Sequence, residues 1–343
     1  MKVRLKKLRD QVMVITGASS GIGLVTARQA ARQGARLVLA ARSDEELRQL
    51  VSEITAQGGQ AIHVVADVGK EDEVRQIAEA ARQRFGGFDT WVNNAGITMF
   101  GRIEETSLED ARRLFETNFW GVVHGSLAAL PVLKQRGGAL INLGSVVSDR
   151  AFPVQGFYSA SKHAVKGFTD ALRVELDHEK APVSVTLIKP TSIATPLNRH
   201  ARNYLPVEPT LPPPVYAPEN VAKAILHCAV HPEREVAVGG ASRAMSTMAA
   251  VAPTLMDKYQ SRMSFQQQRT NQPARGDRDR SLYRASHDLA ERGDYPRHVF
   301  EGSAYTTARL HPLLSGAAML GAGLALAGLW GAWAAQRSGG SQE

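Results

Sequence analysis

Val12-Met13-Val14-Ile15-Thr16-Gly17-Ala18-Ser19-Ser20-Gly21-Ile22-Gly23 is the stretch on which the fold of this 343-residue chain turns. Residues 12–15 have the length and composition of a short buried strand. The glycine-rich turn follows with no gap, and residues 24–33 have the pattern of a helix closed by Gly34. A turn of this kind between strand and helix lets backbone N–H groups and the helix amino terminus approach a pyrophosphate. The glycines fall at 17, 21 and 23, a spacing that differs from the commoner dinucleotide fingerprint. The position directly after a strand and at the start of a helix therefore carries the phosphate-binding reading.

Outward from this turn, strands are expected at 36–41, 61–66, 90–92, 139–143, 183–188 and 235–239. Helices are expected at 71–85, at 108–133, around residue 158 and at 221–230. Alternation without hairpin signals specifies an α/β fold, a Rossmann-type doubly wound parallel sheet. The second strand ends at Arg42-Ser43, where a NAD-binding fold would carry an acid for the adenosine ribose. An arginine there suits a 2′-phosphate, which favours NADP (NADPH) over NAD; the alternative is an exposed arginine opening the next helix. The third strand ends at Asp67, the fourth runs into Asn93-Asn94-Ala95-Gly96, and Asn118 lies inside the long helix. Ser145 follows Gly144 at the carboxyl end of the 139–143 strand, the end at which open α/β sheets bind ligands.

Tyr158-Ser159-Ala160-Ser161-Lys162 holds the candidate chemistry. On a helix, positions 158 and 162 share a face, so a phenol and an ammonium meet over one pocket. A free phenol, with pKa about 10, is a poor acid or base at neutral pH, and a fixed cation nearby favours its phenolate. Such a tyrosine can exchange a proton with a carbonyl or alcohol oxygen while a cofactor handles the hydride.

Taken together, Thr16 to Gly23, Asn93 to Gly96, Asn118, Ser145 and Tyr158 with Lys162 resemble the short-chain dehydrogenase/reductase family over roughly residues 10–240. The resemblance implies catalytic roles for four residues. Tyr158 is the proton donor and acceptor, Lys162 lowers its pKa and holds the nicotinamide ribose, Ser145 orients the substrate oxygen, and Asn118 supports a proton-relay water. It implies a cofactor set of Gly17, Ser19, Ser20, Gly21, Ile22, Gly23, Arg42, Asp67, Asn94, Tyr158, Lys162, Ile193 and Thr195, and no metal. Asp67 would meet the adenine, Asn94 and Ile193 would flank the cofactor, and Thr195 would hold the carboxamide region. One departure is Pro190-Thr191, where the family has Pro-Gly; threonine lacks glycine's freedom at positive φ. The expected function is an NADP-dependent oxidoreductase interconverting a carbonyl and an alcohol. The rival is a non-catalytic NADP-binding sensor or scaffold.

A hydrophobic fraction of 43% supports a full core. The net charge of +8 comes from scattered basic residues without aromatic interleaving, which argues against nucleic acid. A local basic cluster at residues 1–9 is a solvated arm, with contact to anionic lipid as the alternative. The single cysteine, Cys228, lies in an apolar run and is a small buried hydrophobe. No signal-peptide core is read ahead of the first strand, and the catalytic domain is expected in the cytosol.

Residues 196–217 are expected to cover the substrate. Their prolines stiffen this lid, and Tyr204, Leu205 and Tyr216 suit a greasy ligand. Residues 241–312 make a helical extension and polar linker, with Met245, Met248, Ala252, Leu255, Tyr259 and Met263 at helical spacing and a kink at Pro253. That stripe is expected to pack on its own domain. Residues 313–335 contain no charge and no proline, and as a helix would span roughly 34 Å against a hydrocarbon core of about 30 Å. They are expected to be a single transmembrane helix ahead of the tail 336–343. Small residues at 323, 327, 331 and 335 give that helix a face for pairing in a homo-oligomer.

Overall fold

In the computed structural model, which describes residues 3–275 and 281–310, the run beginning at Val12 is an inner strand of a seven-stranded sheet. The strands are β1 (Val12–Thr16), β2 (Arg36–Ala41), β3 (Gln60–Val65), β4 (Thr90–Asn93), β5 (Gly138–Leu143), β6 (Val183–Pro190) and β7 (Glu235–Val238). Their order is β7-β6-β5-β4-β1-β2-β3, and every pairing is parallel. From β1 the chain travels outward to β3, then returns to β4 on the other side of β1 and travels to β7. The connections after β1 and β4 therefore diverge, and a crevice opens at the carboxyl ends of the strands.

The continuous apolar character of β1 follows from burial on both faces. Met13 and Ile15 pack with Leu24 and Ala27 of α1 (Gly21–Arg32), Leu47 and Leu50 of α2 (Asp44–Ala56), and Val221 and Ile225 of α7 (Glu219–Cys228). Val12 and Val14 face the other way. They join Val74 and Ile77 of α3 (Glu71–Phe85), Leu133 of α5 (Gly121–Arg136) and Leu172 of α6 (Gly156–His178). At about 1.5–3 kcal/mol for each large aliphatic side chain, this two-sided burial fixes which strand is central. Cys228 is buried in the first of these layers, and burial pushes its thiol pKa up.

The helix expected over 108–133 is interrupted. α4 (Leu108–Phe115) passes into α5 through a π-helical turn, Glu116–Trp120, which carries Asn118. Wide turns of this type recur at functional sites, and periodicity does not reveal them. At Pro190-Thr191 the substitution of threonine is absorbed without strain, because Thr191 keeps a negative φ. Its methyl group occupies space left by Gly239, where a Cβ would stand 2.4 Å from Thr191 Cγ2.

Beyond β7 the structure corrects two expectations. α8 (Gly240–Val251) and α9 (Pro253–Tyr259) break at Ala252, before the proline. Met245 and Met256 turn inward. Most of the stripe instead faces outward: Leu255 is 62% exposed and Met248, Tyr259 and Met263 are about half exposed, while Val251, outside the stripe, is also exposed. The helices lie against the rim of the domain, so only one narrow edge of them finds a partner. Residues 270–310 are also more than a polar linker. Arg269–Pro273 pairs antiparallel with Val207–Pro209, Val299–Phe300 pairs with Val215–Tyr216, and α10 (Ala304–Leu310) buries Leu310 in the main core. In the basic arm, Lys6 is tied to Asp89 at 2.6 Å. The transmembrane expectation for 313–335 lies outside the described residues, among which no helix is long and apolar enough to cross a membrane.

Candidate active site

The glycine turn is held tightly enough that side chains are excluded from it. Gly17 has φ +65, and a Cβ there would stand 2.7 Å from Ala95 Cα. A Cβ on Gly23 would stand 2.1 Å from the carbonyl oxygen of Gly17. The 93–96 motif braces this turn. Thr16 Oγ1 accepts from the backbone N–H groups of Asn94 and Ala95, and Asn94 Nδ2 donates to the carbonyls of Thr16 (2.9 Å) and Gly17 (3.1 Å). Asn94 thus shapes the phosphate turn from beneath while still bordering the cleft.

One continuous cleft runs from Gly17, Ser19, Ser20, Gly21 and Ile22 to Ser145, Tyr158 and Lys162. α6 carries Tyr158 and Lys162 one turn apart, and the Lys162 ammonium lies 5.9 Å from the centre of the Tyr158 ring. Lys162 is 5% exposed, donates to the Leu143 carbonyl at 2.8 Å, and has its pKa lowered to about 8 by burial. Burial also pushes the Tyr158 phenol up to about 12, while its hydrogen bond with Ser145 favours the phenolate and acts in the opposite sense. In the protein alone desolvation is the larger effect on the phenol, and the Lys162 ammonium is directed at the Leu143 carbonyl. Ser145 also caps a short turn through its contact with the Val147 N–H at 3.3 Å.

Asn118 does not border the cleft. Its side chain is locked to both backbone groups of Ile97 at 2.9 Å and to Ser161 at 3.2 Å. It remains adjacent to the chemistry across Gly96, where a Cβ would stand 3.4 Å from Asn118 Oδ1 and 3.8 Å from Lys162 Nζ.

Arg42, Asp67, Ile193 and Thr195 border the same cleft. Arg42 is lowered in pKa by burial, and its Nη2 and Nη1 donate to the carbonyls of Ser281 (2.5 Å) and Leu282 (3.3 Å). The Asp67 carboxylate favours the charged form of Arg42 but is itself ion-paired with Arg113, whose charge acts against Arg42. Thr195 packs against the glycine turn, 3.1 Å from where a Gly21 Cβ would be. In the lid, Tyr204 donates to Asp110 at 2.6 Å, Leu205 is buried with Phe100, and Tyr216 packs on Phe300, so none of the three borders the cleft. Leu211 and Pro212-Pro213-Pro214 do, together with Phe152, Met245 and Tyr259. Leu211 and the three prolines fall within the expected 196–217 lid, whereas sequence reading missed Arg113, Ser281, Phe152 and the contact of Met245 and Tyr259 with the cleft, which no local spacing signals.

The short chain dehydrogenase family model matches residues 11–205. This chain belongs to that family. An uncharacterized oxidoreductase, YxnA of Bacillus subtilis, is 46% identical over 323 residues, covering 93% of this chain and 91% of the relative. An alcohol dehydrogenase from Thermococcus sibiricus complexed with 5-hydroxy-NADP shares 30% identity at TM-score 0.59, over 66% of this chain and 95% of its own. A short chain dehydrogenase/reductase from Burkholderia phymatum in complex with NAD shares 26% identity at TM-score 0.65, over 75% and 97%.

As a short-chain dehydrogenase/reductase the protein is an oxidoreductase whose fold binds nicotinamide dinucleotides. Its residues fit such a group: the turn at Gly17 and Gly23 leaves no room for Cβ atoms, and the cleft it opens leads directly to the half-buried Tyr158.

Proposed function

We propose that this short-chain dehydrogenase/reductase uses NADP to interconvert a carbonyl and an alcohol on a lipophilic substrate, with Tyr158 as the group that moves the proton. One observation carries the reading: Ser145, Tyr158 and Lys162 border a single cleft that begins at the glycine turn. The glycine turn with Ser19, Ser20 and Ile22 would hold the pyrophosphate, Arg42 the 2′-phosphate, and Lys162, Ile193 and Thr195 the nicotinamide half. When bound, the nicotinamide supplies or accepts the hydride.

In reduction, negative charge develops on the substrate oxygen, and Tyr158 donates its phenolic proton to it. A phenol at about 12 is fully protonated at neutral pH, yet is a much stronger acid than an alcohol, so the transfer is downhill. Ser145 orients the oxygen, and the Lys162 ammonium favours the phenolate left behind. Asn118 acts from outside the cleft, through the Ile97 backbone that it pins and its nearness to Lys162. A sensor or scaffold has no need of a buried lysine beside a half-buried phenol.

Arg42 supports the choice of NADP, because its hydrogen-bond partners are neutral carbonyls that leave its charge for an anion. Phe152, Leu211, Met245 and the 212–214 prolines support a greasy substrate. Membrane attachment through 313–335, with the catalytic domain on the cytosolic side, would bring the cleft to where such substrates partition. The test is NADPH oxidation with carbonyls graded by chain length. Turnover that falls as the chain lengthens, or none with any carbonyl, rejects the proposal.

A further inference from the structure

Residues 281–293 cross the mouth of the cofactor cleft and are fastened on both of its banks. On the bank built by β2 and α1, Arg42 donates to the carbonyls of Ser281 and Leu282. There the Ala290 carbonyl also accepts from the Gly21 N–H at 2.8 Å, and Glu291 pairs with Arg28 at 2.8 Å. On the lid bank, both the N–H and the hydroxyl of Ser281 donate to the His200 carbonyl, and Asp288 forms an ion pair with Arg199 and lies 2.8 Å from His200 Nε2. The Gly293 N–H donates to Ala194 at 3.2 Å, and a Cβ on Gly293 would stand 2.5 Å from the Thr195 carbonyl oxygen. Leu282 anchors the segment in an apolar pocket with Ile97, Met99, Ala111 and Leu114.

Ser281, Ala285 and Ser286 border the same cleft as Gly17, Ser19 and Ser20, so the segment is part of the cleft's own wall and serves it as a roof. The Ala290 carbonyl occupies the Gly21 N–H of the turn, and this fastening has to open before that N–H can meet a phosphate. Apart from Leu282 and Leu289, which packs on the main core, its attachments are hydrogen bonds and partly exposed ion pairs, which contribute little each and open without unfolding the sheet.

We propose that residues 281–293 form the outer wall of the adenosine half of the cofactor site, and that the dinucleotide enters and leaves by displacing this strap. The inference rests on the reading that the glycine turn and Arg42 receive the adenosine end. Asp288 and Leu282 are then positioning residues: they hold the roof, and the roof sets how long the cofactor stays.

The test uses the full chain. Backbone hydrogen exchange across 281–293 is followed with and without saturating NADPH, and NADPH binding is read in parallel by cofactor fluorescence. Slower exchange in the strap on binding is expected. In Asp288→Asn, which keeps the shape and removes the charge facing Arg199 and His200, NADPH should dissociate about two- to fivefold faster. Binding to the unaltered chain with no change in strap exchange overturns the proposal while leaving the cofactor reading intact. Tighter NADPH binding in Asp288→Asn also overturns it, since the strap would then be competing for the site. Failure of the unaltered chain to bind NADPH or NADH overturns the cofactor reading and the strap with it.

Discussion

Arg42 Nη2 donates to the Ser281 carbonyl at 2.5 Å, joining the end of β2 to a segment 239 residues further along the chain. The arginine that suits a 2′-phosphate is thus also a fastening of the roof above that position. The two roles separate by experiment. Arg42→Ala should weaken NADPH by about 10- to 100-fold, as expected for loss of a charge-assisted hydrogen bond of ~1.5–3 kcal/mol. NADH, lacking the phosphate, should lose much less. Equal losses in parallel fluorescence titrations would assign Arg42 to the strap alone.

Tyr158→Phe keeps the ring and removes the proton. Turnover should fall by about 10²- to 10⁴-fold with NADPH affinity nearly unchanged. A rate assay beside a binding titration decides this, and substantial residual turnover would remove Tyr158 from the role of acid.

The pH dependence of reduction follows from Lys162. Burial holds its pKa down to about 8, so the ammonium is present below that pH and is lost as pH rises through it. The Tyr158 phenol, pushed up to about 12, stays protonated over the same range. The kcat/KM for carbonyl reduction should therefore decline above pH about 8. Lys162→Met should be slow and show no such decline; a profile shared by both proteins would place the titrating group elsewhere.

Gly23→Ala should damage the phosphate turn, because the added Cβ meets the Gly17 carbonyl oxygen at 2.1 Å. Overpacking of this kind costs about 1–3 kcal/mol. Lower Tm together with weaker binding of both NADPH and NADH is expected. Unchanged cofactor affinity would mean that the turn is not where the pyrophosphate sits.

Membrane attachment is tested by ending the chain after Leu310, which keeps that buried residue in the core. The shortened protein should leave the membrane fraction that holds the full chain. If it stays, the outward-facing Val251 and Leu255 are the next residues to replace, by Ser and Gln. A full chain that is soluble without detergent would reject attachment altogether.

Local pattern was enough for the sheet. β2 and α3 were legible to the residue, because a buried parallel strand is a continuous apolar run and a surface helix repeats its apolar face every three or four positions. The glycine turn and the Tyr158–Lys162 spacing were legible for the same reason: their geometry is set within eight residues of chain. Asn118 was found as a residue but not as a π turn, since one extra residue in a helical loop leaves the sequence period intact.

Only the tertiary structure decided what depends on contacts between distant segments. The partners of Arg42, the ion pair of Asp67 with Arg113 and the anchoring of Leu282 join residues far apart in the chain, and no periodicity encodes such pairs. The Met-rich stripe illustrates the limit, for helical spacing gives the same pattern whether the apolar face meets a core or solvent. The ionisation of Tyr158 is the other case. Sequence put a cation one turn away, but the phenol also loses solvent where the fold packs around it, and desolvation is a property of packing rather than of spacing.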